Sequence, residues 1–415
     1  MEPLILCADI GTSSLKVAVI DGNGTVRAYS RQRFLSLYTD HAALEWQGAL
    51  CKAVSAIQHT LESAAGVQAL CISGNGPTLA GEGGETLLWN RQVAQDGQNF
   101  RSLFIPRILA FKELYPAFWG SGGTLFSGPE YLIYQLTGSR LSILPEARYE
   151  EAYWTKDSLR EAGLTEAEAS RLPPFVAPGA LAGRLSAGAA ALFASVSGNM
   201  LPEGTPVYCG APDFVSALVG TNTLEAGRLC DRAGSSEGLN LCTESPVTEE
   251  HVRTLPSPLP SLWNASYLIP ESGSRFSAFK QKVEREFGRE LDYDVLVRML
   301  LESDGSAATL DQGKYLMLQT ALQVREGLET LCRAAAKTGT AMPREMIITG
   351  GQAANDDWSQ MKADVCGIDI VVPACSDAEL LGDAAFTFTG MGLFADIATA
   401  AARLCRVEKR FQPRA

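Results

Sequence analysis

LILCADIGTSSLK, residues 4–16, is the stretch that decides the fold of this 415-residue chain. An apolar run ends at Asp9, Gly11 and three hydroxyl residues follow, and Lys16 leads into a second apolar run. This pattern predicts a β-hairpin whose turn offers backbone N–H groups, hydroxyls and one cation to a phosphate. Asp9 beside the turn is a carboxylate suited to a metal ion. The stretch therefore predicts nucleotide chemistry.

Strand-like and helix-like patterns alternate along the rest of the chain. Apolar runs predict strands over 25–34, 67–73 and 206–210, and helical periodicity predicts helices over 42–64, 100–119 and 129–137. The second of these strands runs into Gly74-Asn75-Gly76-Pro77, and the third runs into Ala211-Pro212-Asp213. The alternation of the two element types predicts an α/β fold.

A second glycine-and-serine turn resembles the first. Residues 227–231 and 238–242 are predicted as strands around the turn Ala233-Gly234-Ser235-Ser236-Glu237. The repeat indicates an internal duplication, with two similar domains that each offer one phosphate-facing hairpin to a shared cleft. The predicted boundary lies near 224–227, which gives domains 1–225 and 226–415. A chain of this length is also too long for a single compact core.

A third turn follows a strand predicted over 345–349. Gly350 and Gly351 stand at the end of that strand, and a helix passing through Trp358 follows. Adjacent glycines allow a flat ligand to approach the backbone closely, and the helix N-terminus adds partial positive charge. The same residue types also fit a simple strand-to-helix connection, and Asp213 after a proline also fits a helix N-cap.

The bulk composition narrows the class of partner. The formal net charge is −12, which argues against nucleic acid and anionic membranes as main partners. None of the ten cysteines forms a CxxC pair, so disulfide and zinc sites are disfavoured and a cytoplasmic location is expected. The apolar stretch 384–404 contains Asp396 and Arg403, which favours a packed helix over a membrane span.

Taken together, these motifs resemble the FGGY family of carbohydrate kinases, which has the actin-like ATPase fold of two ribonuclease-H-like domains around a central cleft. The resemblance covers most of the chain in the family's order, and xylulose kinases are the most similar in general appearance. It depends on six segments: 9–16, 72–78, 87–90, 210–213, 233–238 and 349–353.

The resemblance implies MgATP-dependent phosphorylation of a small sugar or polyol, with a ketopentose such as xylulose favoured. Asp213 would be the general base, Asp9 would hold Mg²⁺ with Asp213 as a second metal candidate, and no nucleic acid or membrane would be bound. The implied sugar-binding residues are Asn75, Gly76, Pro77, Trp89 and Asp213. The implied nucleotide-binding residues are Asp9, Gly11, Thr12, Ser13, Lys16, Gly234, Ser235, Ser236, Gly350, Gly351, Gln352 and Asn355. A homodimer is left open.

The chain also departs from the family's pattern. The segment between the second phosphate turn and the glycine pair is short, because 301–313 passes almost directly into a helix predicted over 314–335. Arg107 and Ala110 stand where the family usually has lysine and tryptophan. These departures leave a second hypothesis, a catalytically silent sugar- or nucleotide-binding relative with a sensing role. An acetate or N-acetylsugar kinase is a third, which the spacing from Asp213 to Gly234 disfavours.

Overall fold

A computed structural model of the chain describes residues 3–35, 39–58, 61, 66–93, 101–197, 200–305 and 307–414. The end of the helix predicted over 42–64 and the first residue of the one predicted over 100–119 lie outside these ranges. Within them the strands are β1 Leu4–Ile10, β2 Ser14–Asp21, β3 Val26–Arg33, β4 Ala69–Gly74, β5 Leu79–Gly81, β6 Thr86–Leu87, β7 Leu125–Ser127, β8 Ser142–Ile143, β9 Phe175–Val176, β10 Leu181–Arg184, β11 Pro206–Pro212, β12 Leu229–Ala233, β13 Glu237–Thr243, β14 Val252–Pro256, β15 Trp263–Ile269, β16 Glu345–Thr349, β17 Asp369–Pro373 and β18 Val407–Phe411.

The helices predicted over 129–137 and 314–335 are present with ends shifted by a few residues, whereas the one predicted over 100–119 is divided into two. The helices are α1 Leu44–Gln58, α2 Ile105–Leu114, α3 Pro116–Ser121, α4 Gly128–Thr137, α5 Lys156–Glu161, α6 Glu166–Ala169, α7 Ala187–Ser197, α8 Asp213–Gly220, α9 Ser272–Phe287, α10 Tyr293–Leu301, α11 Ala308–Ala336, α12 Asp356–Cys366, α13 Ala378–Gly390 and α14 Ile397–Leu404, with short 3₁₀ helices at Ala147–Tyr149 and Gly351–Ala354. The stretch 384–404, predicted as one helix, is divided between α13 and α14. No helix in the described ranges is long and apolar enough to cross a membrane.

The contacts divide the chain into two compact units. Unit 1 comprises residues 1–220 and 379–404, and unit 2 comprises residues 221–378 and 405–415. The sequence predicts a single division at 225/226, whereas the chain returns to unit 1 through α13 and α14 before β18 completes unit 2. The reason is packing: Gly382 of α13 approaches α8 so closely that an added Cβ would lie 1.9 Å from the Ser216 carbonyl oxygen.

Unit 1 is built on a six-stranded sheet with the order β10-β11-β4-β1-β2-β3. β1, β2 and β3 are antiparallel neighbours, whereas β4 runs parallel to β1 and β11 runs parallel to β4. β1 is buried along nearly its whole length because helices cover both faces of the sheet. Leu6, Ala8 and Ile10 share a core with α1, α4 and α7 residues on one face.

Unit 2 has a seven-stranded sheet with the order β14-β15-β13-β12-β16-β17-β18. Its central five strands repeat the pattern of unit 1: β12, β13 and β15 are antiparallel neighbours, and β16 and β17 follow β12 in parallel. The repeated order is what the predicted duplication requires. The second hairpin differs in detail, because β12 extends through Ala233 and Glu237 already begins β13, which leaves only 234–236 as the turn.

Candidate active site

Three neighbouring strands of unit 1 end at the same level. The register aligns Ile10 of β1 with Gly74 of β4, and Gly74 with Pro212 of β11. The next residues along the chain are the phosphate turn, Asn75 and Asp213. Since the carboxyl ends of parallel strands lie at one edge of a sheet, this edge gathers the predicted phosphate, sugar and base residues of unit 1.

The first phosphate turn is closed by its own backbone. The Gly11 N–H donates to the Ser14 carbonyl at 3.0 Å, and the Phe34 N–H donates to the Ser13 carbonyl at 3.0 Å. A Cβ on Gly11 would lie 2.9 Å from the Ser14 carbonyl oxygen, so glycine permits the tight turn. Gly11, Thr12 and Ser13 are all partly exposed.

Asp9 is buried behind this turn with 2% of its surface exposed. Lys16, its cross-strand neighbour, places its ammonium 3.8 Å from Asp9 Oδ2 and 3.6 Å from Glu379 Oε2. The Lys16 ammonium thus lies between two carboxylates. The sequence around Lys16 did not reveal the second one, because Glu379 lies on α13.

Asp213 is the first residue of α8. Its Oδ1 accepts a hydrogen bond from the Phe214 N–H at 2.6 Å, and its side chain is half-buried. A carboxylate at a helix N-terminus is stabilised by the helix dipole. Asp213 is thus the first residue of the helix and not its N-cap, and its role as the general base stays a prediction.

The predicted sugar residues are connected to the phosphate turn by side-chain hydrogen bonds. Thr78 Oγ1 donates to Asn75 Oδ1 at 2.6 Å and accepts from the Trp89 N–H at 3.0 Å. The Trp89 indole N–H donates to Thr12 Oγ1 at 3.1 Å. Thr78, which is not among the predicted site residues, therefore joins Asn75 and Trp89, two of the predicted sugar residues. Gly76 and Pro77 lie between Asn75 and Thr78 in the same turn.

Arg107, one of the departures from the family, supports the segment that carries Trp89. Its guanidinium is almost fully buried and donates to the carbonyl oxygens of Leu88 and Arg91, the latter at 3.1 Å. Burial, with a smaller contribution from the Arg91 charge, lowers the pKa of Arg107 to about 10. Arg107 thus has a structural role beside the predicted sugar site.

Asp383 is a site residue that the sequence did not suggest. It is fully buried on α13, where its two carboxylate oxygens accept from Ser73 Oγ at 2.7 Å and Ser216 Oγ at 3.0 Å. Ser73 is the register partner of Asp9, and Ser216 lies one helical turn after Asp213. Burial raises the pKa of Asp383, and the nearby Asp9 charge raises it further. The available signal was an acidic residue inside the apolar stretch of α13.

Unit 2 presents its own aligned turns. Arg232 of β12 pairs in register with Thr349 of β16, so the serine turn and the glycine pair follow neighbouring strand ends. Gly234 and Ser235 are exposed, and the Gly234 N–H donates to the Ser236 carbonyl at 3.1 Å.

The two glycines of the pair differ in role. Gly350 has a φ of +85°, and a Cβ there would lie 2.5 Å from the Ala233 carbonyl oxygen. Gly351 has open space, with no atom within 4 Å of an added Cβ. Gly350 therefore allows the turn to pack against β12, whereas Gly351 faces open space.

The start of α9 lies against the serine turn and was missed by sequence reasoning. The Ser274 N–H donates to the Ser235 carbonyl at 2.9 Å. A Cβ on Gly273 would lie 1.9 Å from the Gly234 carbonyl oxygen, so only glycine fits there. The Ser-Gly-Ser sequence at 272–274 was the available signal.

A fully buried ionic cluster of unit 2 lies next to these turns. The Lys362 ammonium donates to Asp231 Oδ2 at 2.7 Å and to Glu237 Oε2 at 2.8 Å, and all three side chains are fully buried. Burial raises the pKa of Asp231 to about 7 against the opposing effect of Lys362. Burial lowers the pKa of Lys362, but the two carboxylates raise it more.

The two remaining predicted nucleotide residues, Gln352 and Asn355, make contacts inside unit 2. The Gln352 amide N–H donates to Glu237. Asn355 caps α12, accepting from the Trp358 N–H at 2.8 Å, and its amide N–H donates to Asp294 at 2.7 Å. Both side chains therefore support the turn through contacts with the protein.

The model of the FGGY family of carbohydrate kinases, C-terminal domain, matches residues 316–391. An autoinducer-2 kinase of Klebsiella pneumoniae is 23% identical over 489 residues, covering 99% of this chain and 90% of that protein. The alignment is longer than the 415-residue chain, so the relative carries insertions.

Two solved structures have the same fold. A ligand-bound xylulose kinase from Lactobacillus acidophilus matches with a TM-score of 0.77 at 15% identity, covering 99% of this chain and 94% of that one. A Plasmodium falciparum glycerol kinase with ADP matches with a TM-score of 0.76 at 14% identity and the same coverage.

The likeness to these structures shows the fold, which is the two-domain actin-like ATPase fold that these sugar kinases share. The family match at residues 316–391 and the autoinducer-2 kinase relative confirm the predicted resemblance to the FGGY family of carbohydrate kinases.

Proposed function

We propose that this kinase transfers the γ-phosphoryl group of ATP to a hydroxyl of a small sugar or polyol, with Asp213 as the general base. The observation that carries the proposal is the register alignment of Ile10, Gly74 and Pro212. It brings the turn predicted for phosphate, the segment predicted for sugar and the half-buried Asp213 carboxylate to one edge of the unit 1 sheet.

Asp213 is suited to orient the attacking hydroxyl and to accept its proton. In-line phosphoryl transfer requires little covalent chemistry from the protein, so catalysis depends on positioning and charge stabilisation. The hydrogen bond from the Phe214 N–H restrains the Asp213 carboxylate. Asp383 accepts hydrogen bonds from Ser73 of β4 and Ser216 of α8, and these two bonds hold α8 beside β4. A positioned base of this kind is typically worth about 10²–10⁴-fold in rate.

The nucleotide side of the proposal depends on unit 2. The exposed turn at 234–236 offers backbone N–H groups and hydroxyls to phosphates, and Gly351 opens onto space that suits adenosine. The start of α9 beside this turn adds the partial positive charge of a helix N-terminus. In unit 1 Asp9 would hold Mg²⁺, because that ion usually takes one or two carboxylates and keeps several waters. The ion would supply charge neutralisation for the transferred phosphate.

The acceptor class follows from the sugar segment and the relatives together. Asn75 and the partly exposed Trp89 provide one amide and one apolar surface beside Thr12. Relatives named as autoinducer-2 kinase, xylulose kinase and gluconate kinase suggest acceptors of similar size. We retain a ketopentose such as xylulose as the first acceptor to test, with autoinducer-2 second.

The test is ATP turnover over a panel of xylulose, autoinducer-2, gluconate and glycerol. Wild-type protein should transfer phosphate to at least one member, and Asp213→Asn should lower turnover by about two or more orders of magnitude while acceptor binding persists. Asp157→Asn is the matched control, since Asp157 is an exposed carboxylate of α5 and should leave turnover unchanged.

Two outcomes would contradict the proposal. Binding of ADP and sugar without transfer to any acceptor would favour the catalytically silent alternative. Retention of full turnover by Asp213→Asn would remove Asp213 from the role of base, even if the chain is a kinase.

A further inference from the structure

The buried cluster of Lys362, Asp231 and Glu237 is unusual for its position as well as for its charge. Each side chain has no exposed surface, and the ammonium contacts both carboxylates within 2.8 Å. Taking charges out of water is costly, so such a cluster persists only where its geometry is well satisfied. None of these three residues is among the groups that would contact ATP or sugar.

The cluster joins both candidate nucleotide turns of unit 2. Asp231 lies on β12 and Glu237 on β13, so the two carboxylates flank the phosphate turn at 234–236. The other carboxylate oxygen of Glu237 accepts from the amide N–H of Gln352, which directly follows the glycine pair. One lysine on α12 therefore holds the strand ends of the first turn, and through Glu237 it is connected to the second.

The side chains of Asp231 and Gln352 make few other hydrogen bonds among the residues that the structure describes. Asp231 Oδ1 and Gln352 Oε1 are buried without a hydrogen-bond partner among the residues that the structure describes. The position of these groups consequently depends on the contacts that the cluster does make. Loss of the Lys362 ammonium would leave two adjacent buried carboxylates facing each other, and repulsion or protonation would shift the strands that carry them.

We propose that Lys362 is a positioning residue for the nucleotide, which holds the phosphate turn at 234–236 and the glycine pair in the arrangement that binds ATP. The inference deepens the proposed kinase function and rests on it. In this proposal Lys362 does not contact the ligand. Its loss nevertheless lowers nucleotide affinity, and this effect is distinct from any effect on folding.

The test is calorimetric titration of the full-length chain with ADP, alongside the steady-state KM for ATP and for the acceptor. Lys362→Met should weaken ADP binding by about tenfold or more, the usual range when a partner that orients ligand-contacting groups is lost. The KM for the acceptor should change by less than about twofold. Leu300→Ala is the matched control, because Leu300 is fully buried in a separate apolar cluster of unit 2.

Glu237→Gln is the second variant, for the case in which Lys362→Met does not fold. It keeps the shape of the side chain and removes one charge, so ADP affinity should fall less than in Lys362→Met but by more than in Leu300→Ala. The inference would be overturned if Leu300→Ala lost as much ADP affinity as Lys362→Met and Glu237→Gln. It would also be overturned if ADP affinity were unchanged in both Lys362→Met and Glu237→Gln. Failure of the wild-type chain to bind ADP would overturn the proposed function itself, which the cluster variants alone cannot do.

Discussion

The two units share a strand order, but one fully buried aspartate in each of them has very different partners. Unit 1 buries Asp383 against the hydroxyls of Ser73 and Ser216, whereas unit 2 buries Asp231 against the ammonium of Lys362. Burial raises the pKa of both carboxyls, well above the usual range for Asp383 and to about 7 for Asp231. Because the two units repeat one strand order, their turns lie at equivalent positions. The charged and polar side chains that support those turns differ between the units.

The largest expected effect on the free energy of unfolding would come from removing the buried Lys362 ammonium of unit 2. Lys362→Met should lower the free energy of unfolding by about 3–5 kcal/mol, because it leaves two uncompensated buried carboxylates. Denaturant unfolding followed by circular dichroism measures the loss. Lys409→Met is the control, since Lys409 forms an exposed pair with Asp356 that should contribute about 0–1 kcal/mol. A loss below about 1 kcal/mol in Lys362→Met would show that the ammonium is not needed to hold the pair.

A smaller effect is expected in unit 1, where the partners are neutral hydroxyls. Asp383→Ala should cost about 1–3 kcal/mol, because the Ser73 and Ser216 hydroxyls lose their buried acceptors. Asp383→Asn should cost less, since the amide oxygen still accepts a hydrogen bond and no charge is buried. Thermal unfolding of the two variants gives the comparison. Equal destabilisation by both would mean that the negative charge, and not hydrogen bonding, holds α13 in place.

Per pH unit, the smallest expected effect is a pH dependence of the stability of unit 2. The pKa of Asp231 is raised from 3.8 to about 7 in the folded chain, so the folded state retains a proton that the unfolded state releases. This contribution to stability is complete below about pH 4 and declines as the pH rises towards 7, by at most ~1.4 kcal/mol per pH unit for one proton. Lys362 and Glu237 face Asp231 and remain in both proteins compared.

Unfolding free energies of wild type and Asp231→Asn between pH 4 and 8 measure this slope. The difference between the two proteins should decrease across the window and level off above pH 7. A difference that stays constant with pH would show that Asp231 is ionised throughout, and the contrast with Asp383 would then lie only in the partners.

Most of the site framework could be predicted from local patterns. An apolar run that ends in glycine and polar residues indicates a strand followed by a turn, and the structure has such turns at Gly11, Gly234 and Gly350. Their binding of phosphate or adenosine stays a prediction. The chain order of these turns, with Asp213 between the first two, identified the family. Such features are local because strand and turn propensities act over a few residues.

The supporting residues could not be predicted because they depend on contacts distant in sequence. Lys362 lies 131 positions from Asp231, and a lysine in a helix ordinarily indicates a solvated face. Glu237 was assigned to an exposed turn, since nothing near it in the sequence showed that β13 would begin there. Asp383 lies 310 positions from Ser73, so its role depended on the return of α13 to unit 1.

That return has a consequence for the order in which the chain is made. The chain passes between the units three times, at 220/221, 378/379 and 404/405. N-terminal domains generally fold first during synthesis, but unit 1 lacks α13 and α14 until residues 221–378 of unit 2 have been synthesised. A fragment ending at 225 would contain Asp213 and the first phosphate turn, yet the packing surface of α8 that meets Gly382 would still be uncovered. The kinase should therefore be handled as one indivisible folding unit, despite its two repeated sheets.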